Sequence, residues 1–169
     1  MLFFNSAALA LLLLSASPLS ARAAETPLPD AIAAPGETIV LTVHAEGAQV
    51  YECKAGNDGK LAWAFREPVA TLIANDKIVG RHYAGPTWEL TDGSAVAGKV
   101  AASAPGATAK DIDWLRLDVV SGRGSGMLSN VTTVQRINTI GGKLDDACDR
   151  PGGSRSMPYT ADYVFLRKG

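Results

Sequence analysis

The sequence has almost no net charge and few of the residues that build metal or redox centres. Its 169 residues carry 16 basic and 17 acidic side chains, which gives a formal net charge of −1. This balance argues against a protein that binds nucleic acid and against a polybasic protein that binds membranes. The chain has two histidines and two cysteines, and no Cys-x-x-Cys pair. We therefore predict neither a metal site nor a redox site.

The sequence also lacks an apolar run long enough to span a membrane. The apolar run at the start of the chain is short. Residues 9–14 are leucines and an alanine, Pro18 ends the run, and Ala21-Arg22-Ala23 has the small-x-small pattern of a cleavage site. The run is about half the length that a membrane-spanning helix needs. The pattern predicts a signal peptide over residues 1–23 with cleavage near Ala23, and hence a periplasmic or extracellular protein without a membrane span.

The two cysteines allow a single pairing, Cys53 with Cys148. In an oxidising compartment an even number of cysteines suggests a disulfide bond. This bond would close a loop of nearly a hundred residues and stabilise the fold by roughly 4–5 kcal/mol in the chain-entropy model. Two free, buried thiols are the alternative.

The rest of the chain is a series of short runs of β type. After a Pro-rich segment at residues 24–36, we count about ten runs between turn signals such as Asn57-Asp58-Gly59, and no window has convincing helical periodicity. The runs are 37–44, 49–53, 61–65, 69–74, 78–83, 87–91, 95–101, 111–120, 128–138 and 159–166. We predict one all-β domain over residues 37–169, an antiparallel β-sandwich or barrel of about ten short strands.

Two features interrupt this pattern. Residues 141–157 form an irregular stretch longer than most loops, which suggests that it is functional or held in place by Cys148. Trp114 alternates opposite Leu115, Leu117 and Val119, so it faces away from their side. It is predicted to lie either in an exposed aromatic patch or in a second buried layer.

Residues 80–94 hold the densest group of side chains capable of chemistry. Gly85-Pro86 forms a turn that could place residues before it opposite residues after it on adjacent strands. We predict a ligand-binding surface built from His82, Tyr83, Trp88, Glu89 and Asp92, with Arg136 and Asn138 as polar neighbours. The alternative is structural: Trp88 in the core, Asp92 in a turn, and His82 bonded to a neighbouring carbonyl.

The sequence gives little support for catalysis. Glu89 and Asp92 are three residues apart on a strand and its turn, so they are expected to diverge rather than to pair as in a glycosidase. Residues 122–126 lack the Gly-x-Ser-x-Gly spacing of a nucleophile elbow, and Met127 breaks the glycine pattern of a dinucleotide site. We assign no catalytic residue and no cofactor.

Six ordered blocks of the sequence resemble a secreted family found in bacteria and fungi, domain of unknown function 3455. They are Tyr51-Glu52-Cys53, residues 63–65 with 67–70, residues 80–94, residues 111–115, residues 135–142 ahead of Cys148, and residues 158–163. Asp113 and Arg116 depart from the pattern, where proline and an aliphatic residue are expected. The resemblance implies an exported single domain, supports pairing of the two cysteines, and implies no activity.

Three hypotheses follow for function. The first is a secreted domain that binds a small molecule, a glycan or a cell-envelope partner without catalysis. The second is a small hydrolase or lyase that uses His82 with Glu89 or Asp92, which requires these groups to meet within hydrogen-bond reach. The third is a purely structural protein without a concave polar pocket.

Overall fold

Eight antiparallel strands form a closed barrel in the computed structural model, which describes residues 27–169. The strands are β1 (Thr38–Ala55), β2 (Leu61–Ala74), β3 (Lys77–Tyr83), β4 (Thr87–Leu90), β5 (Ala95–Ala104), β6 (Trp114–Arg123), β7 (Thr133–Gly141) and β8 (Ser154–Arg167). Each pairs with its neighbours along the chain, and β1 pairs with β8 to close the sheet. The predicted all-β antiparallel class is confirmed.

The first 26 residues lie outside the described part of the chain, and with them the predicted signal peptide and its cleavage site. Within residues 27–169 no helix is long and apolar enough to cross a membrane.

The predicted number of strands was too high, because two pairs of runs are continuous. Runs 37–44 and 49–53 join in β1, and runs 61–65 and 69–74 join in β2. Gly47 lies inside β1, where a Cβ atom would be only 2.1 Å from the Val69 carbonyl oxygen. Pro68 lies inside β2, in a stretch that pairs with β1 but not yet with β3. Glycine fits where two backbones approach closely, and proline is tolerated at an unpaired edge. Neither residue therefore ends its strand.

Alternate residues of each strand point into the barrel and form its core. Trp88, Tyr163 and Phe165 are the largest fully buried side chains. They pack with smaller apolar residues from the other strands, among them Val43, Leu72, Leu117 and Val134.

A second, smaller core lies on the outer face of the barrel. A short 3-10 helix (Asp30–Ile32) places Ile32 against Trp114 and Ala104. The Gln135 side chain donates a hydrogen bond to the Ile32 carbonyl (2.7 Å), and Arg116 donates one to the Ala33 carbonyl (3.2 Å). Trp114 is only 5% exposed, so it belongs to a second buried layer rather than to an exposed patch.

A disulfide bond between Cys53 and Cys148 holds the irregular segment between β7 and β8, as predicted. Next to the bond, the Cys53 amide donates to the Gly153 carbonyl (2.8 Å) and the Gly152 amide donates to the Cys53 carbonyl (2.9 Å). The Tyr51 hydroxyl donates to the Gly142 carbonyl (2.8 Å) at the other end of the segment. The segment is therefore attached to β1 at both ends.

The β3–β4 hairpin is shorter than the strands beside it and leaves a gap in the barrel wall. The last pair between β2 and β3 is Ala70–His82, and the last between β4 and β5 is Thr87–Ala97. Gly98 still donates a backbone hydrogen bond to the Pro86 carbonyl (3.1 Å), and beyond it residues 61–69 of β2 and 99–104 of β5 continue without a partner on the hairpin side. We call this gap, above the hairpin turn at residues 84–86, the notch.

Candidate functional site

A pocket of about 170 Å³ lies inside the barrel at the notch. Its rim comes from the strands and the turn that border the notch: Phe65, Pro68, Pro86 and Val100. Its floor and back wall come from β1, β3, β4, β6, β7 and β8: Gln49, His82, Trp88, Leu115, Leu117, Arg136 and Tyr163. We call it the notch pocket.

The rim of the notch pocket exposes apolar side chains that point inward. Phe65 pairs with Tyr51 and Val100 pairs with Leu117, which fixes both side chains on the inner face of the sheet. They nevertheless remain 53% and 51% exposed. Inward-facing side chains of a barrel are normally buried, so this opening presents apolar surface that a small molecule could cover.

The His82 and Trp88 rings form the floor of the pocket. They are cross-strand partners on β3 and β4, and their rings are stacked 4.5 Å apart. The His82 Nδ1 atom is 2.9 Å from the Thr87 carbonyl oxygen. A carbonyl can only accept, so Nδ1 carries the proton and Nε2 keeps its lone pair. Burial lowers the pKa of His82 from 6.5 to about 3, so the ring is neutral at neutral pH.

Two hydrogen-bond donors in the pocket have no acceptor among the described residues. They are the side-chain Nε2 of Gln49 and the indole Nε1 of Trp88, both in side chains that are almost fully buried. They lie near the phenols of Tyr159 and Tyr163, whose oxygens are 3.2 Å apart, without reaching hydrogen-bond geometry. Both nitrogen atoms are fully buried, so a molecule in the pocket does not reach them.

Arg136 brings a positive charge to the same wall. Its Nε and Nη2 atoms donate to the Asp113 carbonyl oxygen at 3.0 and 2.8 Å. No carboxylate between residues 27 and 169 lies within 4.0 Å of the guanidinium. Burial raises the pKa of the Tyr163 phenol and the Arg136 charge opposes that rise, so the charge acts on the interior of the barrel.

Tyr83 and Glu89 lie on the outer face of the barrel, away from the pocket. The Glu89 carboxylate accepts hydrogen bonds from the Tyr83 hydroxyl (2.8 Å), Arg81 (3.0 Å) and Arg123 (2.7 Å). The bond from Tyr83, followed by that from Arg81, lowers the pKa of the Glu89 carboxyl. This network links the outer surfaces of β3, β4 and β6.

Asp92 lies at the opposite end of the barrel, in the turn between β4 and β5. Its carboxylate accepts hydrogen bonds from the hydroxyl (2.6 Å) and amide (2.8 Å) of Ser94 and from the Met127 amide (2.8 Å). The Ser94 hydroxyl is the main cause of its lowered pKa. Asp92 therefore holds a turn and a loop together.

Asn138 occupies a bulge in β7 and also faces outward. Its φ of 52° lies in the left-handed region, which asparagine tolerates better than most residues. Its side-chain amide donates to the Asp162 carboxylate (2.9 Å), which also contacts His44 Nδ1 (2.8 Å).

The structure thus brings three of the predicted site residues together, His82, Trp88 and Arg136. The other four lie elsewhere: Tyr83, Glu89, Asp92 and Asn138. No hydrogen bond joins His82 to either acid in the described part of the chain, so the convergence required by the hydrolase hypothesis is not present. The ligand-binding role of these residues stays a prediction.

Sequence reasoning missed Gln49, Phe65 and Tyr163. A signal for Gln49 was available, because it continues the inward alternation of Val43, Ala45 and Gly47 as a polar residue in an apolar series. Tyr163 could be placed beside Arg136 only once the pairing of β7 with β8 was known.

Residues 27–169 contain no group of three or more side chains that could hold a metal ion.

A family model described as Protein of unknown function (DUF3455) matches residues 34–78 and 73–167 of the chain. No curated protein and no solved structure has significant similarity to the chain.

Proposed function

The chain belongs to the DUF3455 family, whose function is unknown, and we propose that its barrel binds a small, mainly apolar molecule in the notch pocket without catalysis. The observation that carries this proposal is the exposure of two inward-facing apolar side chains, Phe65 and Val100. Covering them would remove apolar surface from water, which favours binding by about 25 cal/mol per Å².

The volume of the pocket limits the size of the molecule. The notch pocket measures about 170 Å³. A benzene molecule fills an engineered apolar cavity of roughly 150 Å³. A ligand with one ring and a few further atoms therefore matches the pocket.

The same geometry argues against a glycan and against catalysis. Trp88, one of the predicted binding residues, is only 1% exposed and stacks on His82, so it offers no open ring face to a sugar. The lowered pKa of His82 makes it a weak base at neutral pH, and no carboxylate among residues 27–169 is hydrogen-bonded to its ring.

The proposed site of action is outside the cytoplasm. The Cys53–Cys148 disulfide bond is typical of proteins in oxidising compartments. Together with the leader-like sequence of residues 1–23, it supports export to the periplasm or the extracellular space.

Titration with benzyl alcohol, followed by NMR of the Trp88 indole N–H, tests the proposal. We expect a saturable shift of this resonance. Phe65→Ser should weaken binding about fivefold or more, because the rim loses apolar contact area. Val69→Ser is the matched control, since Val69 is also on β2 and 54% exposed but does not line the pocket.

Two results would contradict the proposal. One is a Trp88 resonance that responds to neither benzyl alcohol nor benzoate. The other is equal weakening of benzyl alcohol binding by Phe65→Ser and Val69→Ser, which would place the contact on the outer surface.

A further inference from the structure

A cation in the wall of the notch pocket points to the chemistry of its ligand. Arg136 lines the pocket, and no carboxylate among residues 27–169 lies within 4.0 Å of its guanidinium. The side-chain donors of Gln49 and Trp88 are fully buried beside the phenols of Tyr159 and Tyr163, so a ligand does not reach them.

The charges around the pocket favour an anionic ligand. Arg136 supplies a cation, whereas Glu89 is bound on the outer face and Asp92 at the far end of the barrel. The proton of His82 is already donated to the Thr87 carbonyl. A partly buried cation without an anionic partner is unfavourable, so an anion in the pocket would relieve it.

A carboxylate meets these requirements within the available volume. It offers two oxygens with about four lone-pair positions, and a guanidinium binds it in a planar, charge-assisted arrangement. Building on the proposed function of the pocket, we infer that the ligand is a small organic acid, with its carboxylate on Arg136 and its apolar body at the Phe65–Val100 rim.

Comparison of benzoate with benzyl alcohol tests this inference, because both have one ring and differ in charge. The NMR titration of the Trp88 indole N–H is carried out for both compounds at pH 7. Wild-type protein should bind benzoate about tenfold or more tighter than benzyl alcohol, as expected for a charge-assisted hydrogen bond.

Removing the cation should abolish this difference. Arg136→Met should weaken benzoate binding by about tenfold or more and leave benzyl alcohol binding nearly unchanged. Arg136→Lys keeps the charge without the planar fork and should recover part of the affinity for benzoate. Arg81→Met is the matched control, because Arg81 lies on the outer face and pairs with Glu89.

Gln49→Glu provides a second variant if Arg136→Met does not fold. It keeps the shape of the side chain but puts a carboxylate in the wall of the pocket that Arg136 also lines. We expect benzoate binding to fall about tenfold or more and benzyl alcohol binding to persist.

The outcomes separate this inference from the proposed function. Equal binding of benzoate and benzyl alcohol, both sensitive to Phe65→Ser, would overturn the inference and leave the pocket's function intact. Equal loss of benzoate affinity in Arg136→Met and Arg81→Met would overturn it too, because only the overall charge would matter. If neither compound binds, the proposed function fails and the inference fails with it.

Discussion

The imidazole of His82 lies parallel to the indole of Trp88, with ring centroids 4.5 Å apart and planes within 7° of each other. The Tyr163 ring contacts both rings edge-on, with its centroid 5.0 Å from that of His82 and 5.2 Å from that of Trp88. Protonation of His82 would place a charge in this aromatic cluster at the centre of the barrel. The cluster is therefore stable only while the ring is neutral.

We predict that His82 makes the protein less stable as the pH falls below about 6.5. Its pKa is about 3 in the folded protein and near 6.5 in the unfolded chain, so the unfolded chain takes up the proton first. The contribution of His82 is fully present above pH 6.5 and is lost as the pH falls towards 3. At pH 5 the loss is about 2 kcal/mol in the free energy of unfolding.

Chemical denaturation of wild type, His82→Phe and His44→Gln between pH 7 and 4 measures this effect. His82→Phe should show a weaker pH dependence than wild type. His44→Gln should keep most of the dependence, since the half-buried His44 lies on the outer face. An unchanged pH profile in His82→Phe would refute the prediction.

Removal of the disulfide bond should destabilise the barrel. Cys53 and Cys148 are 95 residues apart, and a loop of this length corresponds to about 4–5 kcal/mol in the chain-entropy model. Urea denaturation of the Cys53→Ser/Cys148→Ser double variant should show a loss of this order. A reducing agent should destabilise the wild type similarly and leave the double variant unchanged. Equal stability of the oxidised wild type and the double variant would count against this account.

The segment before β1 should depend on Ile32 for its attachment. Ile32 is fully buried against Trp114, so Ile32→Ala leaves a cavity that costs about 2–5 kcal/mol. Thermal denaturation should show the loss, and tryptophan emission should shift to longer wavelength as Trp114 becomes exposed. Leu28→Ala is the control, because Leu28 is 40% exposed and should change both readings little. A blue-shifted or unchanged emission in Ile32→Ala would contradict the role of Trp114.

The close approach of β1 and β2 at Gly47 should make any larger residue there destabilising. A Cβ atom there would lie 2.1 Å from the Val69 carbonyl oxygen and 2.5 Å from Ala70 Cα. Backbone atoms cannot yield cheaply, so we expect Gly47→Ala to destabilise the fold by about 2 kcal/mol or more in denaturation experiments. At Gly122 the nearest atom to an added Cβ is 3.5 Å away, and Gly122→Ala should be nearly neutral. Equal stability of the two variants would show that the strands can separate at Gly47.

Local patterns were enough to predict the fold class and the disulfide bond. Period-2 alternation and turn signals identified strands, and the number of cysteines left one pairing. The number of strands was wrong because Gly47 and Pro68 usually interrupt β structure. Here Gly47 lies where the backbones of β1 and β2 approach closely, and Pro68 lies where β2 has no partner on the β3 side. Both explanations depend on neighbouring strands, which a local pattern does not contain.

The candidate site could be predicted only in part, for a geometric reason. Trp88 and Glu89 are adjacent on one strand, so their side chains must point to opposite faces of the sheet. Grouping them by proximity in sequence therefore mixed the interior of the barrel with its outer surface. Gln49 and Arg136 reach the pocket through the pairing of β8 with both β1 and β7, which arises from closure of the sheet. That relationship is not visible in any short stretch of sequence.

The notch leaves unpaired β2 backbone that another chain could use to extend the sheet, and the sequence there opposes such self-association. Pro68 lacks an amide proton, Arg66 is an extra residue in a bulge opposite Val50 and Tyr51, and Arg66 forms an ion pair with Glu67. Proline, bulges and charges are the features that prevent strand addition at free edges. The sequence of β2 thus opposes aggregation at the same opening through which we propose that the ligand enters.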